Sequence, residues 1–212
     1  MSAENPSLLP ASVTSFHDYF KLDVEPDDVA VAFGYTFESV ALELPFADVA
    51  PPWAEELRER IGRWLPIIRL NNEAGRRETM IEPVLLETSA YLHARLSIEY
   101  AVNVAPQLKG RLDYLVRAPQ SLLVVEAKDG DMGHGVSQLV AEMIALDKWS
   151  KTEERRLYGA LTTGTLWQFA VMNRETKTIM QDVRGFSVPG ELVDLLRTLI
   201  GILQDKPTHA TI

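Results

Sequence analysis

Leu122-Leu123-Val124-Val125-Glu126-Ala127-Lys128 is an apolar run that ends in an acid and a base one residue apart. Alternate side chains of a strand share a face, so Glu126 and Lys128 point the same way, about 6.7 Å apart along the backbone. A second apolar run, Leu112–Val116, precedes it, and Arg117-Ala118-Pro119-Gln120-Ser121 between the two has the composition of a hairpin connection. A turn centred on Pro119-Gln120 pairs residues whose numbers sum to 239, setting Val116 against Leu123 and Asp113 against Glu126. Directly opposed side chains have Cβ atoms about 5 Å apart. Two carboxylates that close repel unless a proton or a cation compensates, and a hard divalent cation does so.

Asp113, Glu126 and the Ala127 carbonyl then offer three oxygen ligands at about 2.0–2.1 Å to Mg²⁺ or Mn²⁺, with positions left for water and a phosphate oxygen. The spacing suits phosphodiester hydrolysis. Lys128 would orient or deprotonate the attacking water, or stabilise charge growing in the transition state. The competing reading is a solvated strand-end ion pair. A second Glu-x-Lys, Glu175-Thr176-Lys177, follows Asn173-Arg174 in what reads as an exposed turn and has no hairpin carboxylate before it. The first copy differs in its apolar run, its register-matched Asp113 and the glycines Gly130, Gly133 and Gly135 after it, whose N–H groups at a helix start would favour an anion.

The elements that position these residues are legible in the hydrophobic period. Trp53–Leu65 reads as a short helix stopped by Pro66. Asn71-Asn72 offers caps for a helix over Glu73–Leu92, kinked or interrupted at Pro83. Leu96, Ile98, Tyr100, Val102 and Val104 alternate as a half-buried strand, and the hairpin strands follow. A helix is predicted from about Val136 to Trp149, then strands over Leu157–Leu161, Leu166–Val171 and Thr178–Val183, and a closing amphipathic helix over Glu191–Leu203. Helix, three strands, helix, strands, helix is the order of an α/β layer fold with a partly antiparallel sheet. Ahead of Pro51-Pro52, the stretch VAVAFGYTFESVALELP reads as two short strands around Gly34, a hairpin at the edge of the main domain. The chain thus divides into an acidic extension, 1–50, and a main domain, 51–212.

Composition narrows the chemistry further. The 212 residues are 46 % hydrophobic and 24 % charged, as in a globular protein, and contain no cysteine, which removes disulfides, thiolate nucleophiles and cysteine-based metal sites. His17, His93, His134 and His209 have no metal-ligand spacing, and no Walker A or dinucleotide fingerprint occurs. The N-terminal sequence lacks a signal-peptide pattern and no window has the length of a membrane span, so a cytoplasmic location away from membranes is expected. Net charge is −9, but residues 1–50 carry nine acids against one lysine, whereas 51–212 are nearly neutral with 20 bases and 21 acids. A neutral body still attracts phosphates locally, since the field at a cleft follows nearby charges. Arg58, Arg60, Arg63, Arg69, Arg76 and Arg77 are interleaved with glutamates and read as a solvated helix face; Trp149 and Trp167 read as core rather than as base-stacking platforms.

Gly110-Arg111-Leu112-Asp113-Tyr114-Leu115-Val116, the hairpin, Val124-Val125-Glu126-Ala127-Lys128 and a helix bearing Gln138 resemble the PD-(D/E)xK nuclease superfamily, with its restriction endonuclease-like fold. Asn72-Glu73-Ala74-Gly75-Arg76-Arg77, Ile81-Glu82-Pro83-Val84-Leu85 and Tyr158-Gly159-Ala160-Leu161-Thr162-Thr163-Gly164 with Trp167-Gln168-Phe169 are similar to the N-terminal nuclease domain of type I restriction motor subunits. The resemblance spans about 71–171. It implies a mixed central sheet flanked by helices and a Mg²⁺- or Mn²⁺-dependent nuclease acting on DNA. Asp113 and Glu126 would be metal ligands with Ala127, Lys128 the catalytic lysine, Glu73 a helix carboxylate completing the metal shell, and Gln138 a residue fixing the lysine or a phosphate. Leu112 stands where the motif has proline, and Glu78 competes with Glu73. A homodimer is implied by resemblance alone. The alternative is a nuclease-fold module without activity that binds nucleic acid or a protein. A further expectation is that the acidic segment covers the cleft.

Overall fold

The structure is a computed structural model and describes residues 5, 8–21, 24–119, 121–128, 132–151 and 154–204. Gln120, Gly130 and His209, singled out above, lie outside the described residues. An eight-stranded mixed sheet lies between two layers of helices. Its strands are β1 (Thr36–Val40), β2 (Arg95–Ala105), β3 (Leu108–Ala118), β4 (Ser121–Ala127), β5 (Arg156–Thr162), β6 (Leu166–Asn173), β7 (Thr178–Asp182) and β8 (Phe186–Ser187). The spatial order is β1-β7-β6-β5-β4-β3-β2, with β8 beside β6; β1/β7 and β4/β5 are parallel and the other pairs antiparallel.

β4 sits between β3 and β5 and is buried at every position, which is why its sequence is a continuous apolar run instead of an alternating one. Its period of two still sorts the side chains. Leu122 and Val124 enter the layer formed by α1 (Phe16–Lys21), α2 (Pro26–Ala32) and α6 (Met132–Trp149). Leu123, Val125 and Ala127 enter the layer of α3 (Ala54–Trp64), α5 (Glu82–Leu92) and α7 (Leu192–Leu203). Glu126 and Lys128 share the parity of Val124 and therefore face α6. The parallel pairing of β4 with β5 needs a crossover, and α6 is that crossover.

The predicted Glu73–Leu92 helix is found in three parts: α4 (Glu73–Arg76), a π-helical turn (Arg77–Ile81) and α5. Asn72 caps it by accepting from the Gly75 N–H at 2.8 Å. Pro83 lacks the N–H that a regular α-helical rung would require, and the wider π turn lies directly before it. α6 begins four residues earlier than expected, so Gly133, His134 and Gly135 are in its first turn and not in a loop.

The N-terminal hairpin is not found. Val29 to Phe33 belong to α2 and its cap, and only β1 is a strand. Val29, Ala30 and Ala32 pack inward while Val31 is exposed, a helical facet that a short unbroken apolar run does not distinguish from a strand. β1 pairs with β7 at the sheet edge, and α1 and α2 share a core with α6, so residues on both sides of Pro51-Pro52 contribute to one sheet. Trp167 is fully buried as expected, but Trp149 is 39 % exposed. No helix among the described residues is long and apolar enough to cross a membrane.

Candidate functional site

The expected register is present: Ala118↔Ser121, Arg117↔Leu122, Val116↔Leu123, Leu115↔Val124 and Tyr114↔Val125 all sum to 239. Beyond Tyr114 the ladder gives way to a side-chain rung. Asp113 Oδ2 accepts the Ala127 N–H at 2.8 Å, so the carboxylate is tied to the backbone between Glu126 and Lys128. Glu99 lies opposite Asp113 on β2 with φ of 53°, a left-handed conformation that is costly for a residue with a Cβ. Its carboxylate accepts from Arg77 Nη1 at 2.7 Å, and the same Nη1 lies 3.3 Å from Asp113 Oδ1.

Glu126, Lys128 and Gln138 form one buried cluster. Lys128 Nζ donates to Glu126 Oε1 at 2.6 Å and to Gln138 Oε1 at 2.8 Å, while Gln138 Nε2 donates to Glu126 Oε1 at 2.7 Å. Gln138 Nε2 also donates to Glu142 Oε1 at 2.9 Å. Gly135 permits this close approach of α6, because a Cβ there would stand 2.9 Å from Leu161 Cδ1 and 3.3 Å from Lys128 Cγ. Glu73 does not join the cluster. It is half exposed and pairs with Arg77 at 3.8 Å; Glu73, Glu78 and Glu82 line a cleft of about 230 Å³ around that arginine. Arg77 therefore occupies the place between Glu73 and Asp113 that a shared cation would need. Arg58 and Arg60 pair with Glu55 and Glu87 at the surface, as a solvated helix face does.

The electrostatics follow from burial. Burial pushes the Asp113 carboxyl up, against the opposing pull of the Ala127 N–H, Arg77 and Lys128. Glu126 is pushed well above the ordinary glutamate value by burial, then by Glu142 and Asp113, with Lys128 opposing. Burial raises Glu142 to about 7, although its hydrogen bonds to Glu126 and Gln138 hold it back. Lys128 loses from burial but gains more from Glu126, Glu142 and Asp113, and it stays an ammonium. Oε2 of Glu126 and Oε2 of Glu142 are buried without a hydrogen-bond donor among the described residues. Two buried carboxyls this close favour a proton between them, because burial and mutual repulsion push both upward while the one ammonium opposes.

Glu142 was missed by the sequence reading. Its signal was available: it lies four residues after Gln138, a polar position on the otherwise apolar face of Leu139 and Met143. Because its folded value exceeds the ordinary 4.5, the folded state binds the extra proton. Its contribution to stability is full below about pH 4.5 and is lost as pH rises to about 7. Glu142→Gln keeps the hydrogen-bonding shape and removes the titration, so the fall in urea stability of the parent between pH 5 and 8 should shrink by on the order of 2–3 kcal/mol. Equal pH dependence in parent and variant would show that Glu142 titrates normally.

α1 covers the cluster. Phe16 and Tyr19 anchor it: Phe16 packs where Gly110 leaves room, and Tyr19 Oη donates to the Gln107 carbonyl at 2.9 Å. Phe20 then lies over Lys128 Nζ, 4.7 Å from ring centre to nitrogen, and the His134 ring meets Phe20 edge-on with centroids 6.1 Å apart. Glu126 and Lys128 are left 2 % and 5 % exposed. Nothing in the sequence near Lys128 signals Phe20. The second Glu-x-Lys has a structural role, for Lys177 Nζ reaches Asp147 Oδ2 at 2.7 Å.

The donor set accepts a hard cation in part. Asp113 and Glu126 are within electrostatic reach of each other, Glu126 has an orphaned oxygen, and the Ala127 carbonyl lies between them in sequence. Among the described residues, no three acidic or histidine groups are gathered closely enough to form a metal cage. No protein-family model matches the chain, and no curated protein matches it.

Proposed function

We propose that the chain is a metal-dependent nuclease of restriction endonuclease-like fold that hydrolyses phosphodiester bonds in DNA. The observation that carries this reading is the Glu126–Lys128–Gln138 cluster at the end of β4, beside a carboxylate held on the Ala127 N–H. The α5-β2-β3-β4-α6-β5 order, with β4 and β5 parallel, supports the fold. Asp113, Glu126 and the Ala127 carbonyl would hold Mg²⁺ or Mn²⁺, which when bound supplies charge stabilisation and an activated water. Glu73 is set aside from that shell by Arg77. Lys128 remains protonated, which favours its stabilising charge on the phosphate over its removing a proton from water. Gln138 holds both Lys128 and Glu126 in place. Titration calorimetry with Mn²⁺ and cleavage of single- and double-stranded DNA test the proposal; neither binding nor cleavage would overturn it.

The burial of Glu126 and Lys128 beneath Phe20 favours a second reading, a nuclease-fold module without activity. Phe20→Ala separates the two. If α1 must lift for substrate to enter, only the open fraction is competent, and removing the ring should raise Mn²⁺-stimulated cleavage roughly three- to tenfold. A variant as silent as its parent supports the inactive module.

A further inference from the structure

At the far end of α6 the structure has a second cleft, of about 510 Å³, lined by Arg117, Leu122, Trp149, Ser150 and Lys151. Clefts that hold small ligands run to roughly 300–1,000 Å³. Trp149 is the last residue of α6, about 16 Å along the helix from Gln138 at 1.5 Å per residue. Its ring meets Tyr100 of β2 edge-on, with centroids 5.4 Å apart, and stays 39 % exposed. The Arg117 guanidinium lies 4.4 Å from the Tyr100 centroid and 5.6 Å from that of Trp149.

Among the described residues the charge of this cleft is one-sided. Among the described residues no carboxylate lines it, and neither Arg117 nor Lys151 has an ion pair. Arg95 stands directly across the β2–β3 ladder from Arg117, and like charges so placed repel. A bound anion would relieve that repulsion. The cleft between α2 and α6, by contrast, carries Glu25 and Asp27.

An exposed indole and a tyrosine beside cations without counter-ions match a ligand that combines a flat ring with a phosphate. We infer that this cleft binds one base and its adjacent phosphate of a single-stranded nucleic acid. Trp149 supplies the stacking surface and Arg117, with Lys151 and Arg95, the phosphate contact. Stacked bases of a duplex have no free face to present to the indole, so strandedness follows from the ring contact. The inference rests on the nuclease reading for the class of polymer and on the cleft alone for its strandedness.

The test uses the full chain in EDTA, so that nothing is cleaved, and a fluorescein-labelled ten-nucleotide thymidylate strand, with tryptophan quenching reporting the ring contact and strand anisotropy reporting affinity. The expected result is saturable quenching that Trp149→Phe abolishes or strongly reduces, and an affinity at least about fivefold lower in Trp149→Ala. Lys151→Glu, an exposed change outside α6, should weaken binding and flatten its salt dependence. A duplex of equal length and an abasic strand should both bind more weakly. Equal binding of the abasic strand or the duplex, or no effect of Trp149→Ala and Lys151→Glu, would each overturn the inference. Cleavage with Mn²⁺ is read separately: cleavage without quenching removes the cleft and leaves the nuclease reading, and quenching without cleavage does the reverse.

Discussion

Asp113→Asn should lower Mn²⁺-stimulated DNA cleavage by roughly 10²–10³-fold or more and weaken Mn²⁺ binding in parallel. The substitution is nearly isosteric, and the amide oxygen can still accept the Ala127 N–H that Asp113 Oδ2 now takes at 2.8 Å. What disappears is the negative charge. Burial already works against that charge, as the upward push on the Asp113 carboxyl records, so its removal relieves a desolvation cost while losing the attraction of Arg77. The two effects oppose each other, and the thermal midpoint should move by only a few degrees. Loss of activity at nearly constant stability separates a functional carboxylate from a structural one. Glu73→Gln is the internal comparison. Glu73 is half exposed and screened from Asp113 by Arg77, so its neutralisation should change cleavage by less than about threefold. Unchanged cleavage in Asp113→Asn, or a larger loss in Glu73→Gln, would remove Asp113 from the centre of the mechanism.

The parts of this site that depend on short-range geometry were legible in the chain. The β3–β4 register follows from a turn at Pro119 and the period of a strand, and five successive pairs obey it. The same period sends Glu126 and Lys128 toward α6, where Gln138 stands nearly two turns into the helix. What depends on packing between distant segments was not legible. Arg77 reads as one of six arginines on a solvated helix, yet the π turn before Pro83 aims it at Asp113, Glu99 and Tyr114. Val29 to Phe33 had too short an apolar run for its period to be decided, and the helical choice came from packing on α6. Phe20 reaches Lys128 because Phe16 and Tyr19 anchor α1 on β3 and the β2–β3 turn, a long-range fit with no local signature. Trp149 looks like an apolar helix position, but as the last residue of α6 it meets Tyr100 and Arg117 with its ring and stays 39 % exposed.

Lys128→Met should cost cleavage about as much as Asp113→Asn, roughly 10²–10³-fold, while leaving Mn²⁺ affinity intact or improved. Lys128 sits among Glu126, Glu142 and Asp113 as their nearest buried cation, and those carboxyls hold it protonated despite burial. An ammonium beside the carboxylates competes with a divalent ion for the same negative charge, so its removal does not weaken the metal site. It removes the positive group next to the phosphate at the moment charge develops there. Methionine keeps an unbranched stem that fits between Phe20 and the Gly135 turn of α6. Glu126 then loses its ion pair at 2.6 Å, but its value is already pushed up by burial and by Glu142, so it can take a proton instead of staying charged. The fold should therefore survive, with a stability change within about 2 kcal/mol at pH 6 and a larger loss at pH 8, where holding that proton costs more. A protein that binds Mn²⁺, remains folded and does not cut assigns Lys128 to the chemistry. Full cleavage by the same variant would reduce the Glu126–Lys128 pair to a buried ion bridge that happens to resemble a nuclease motif.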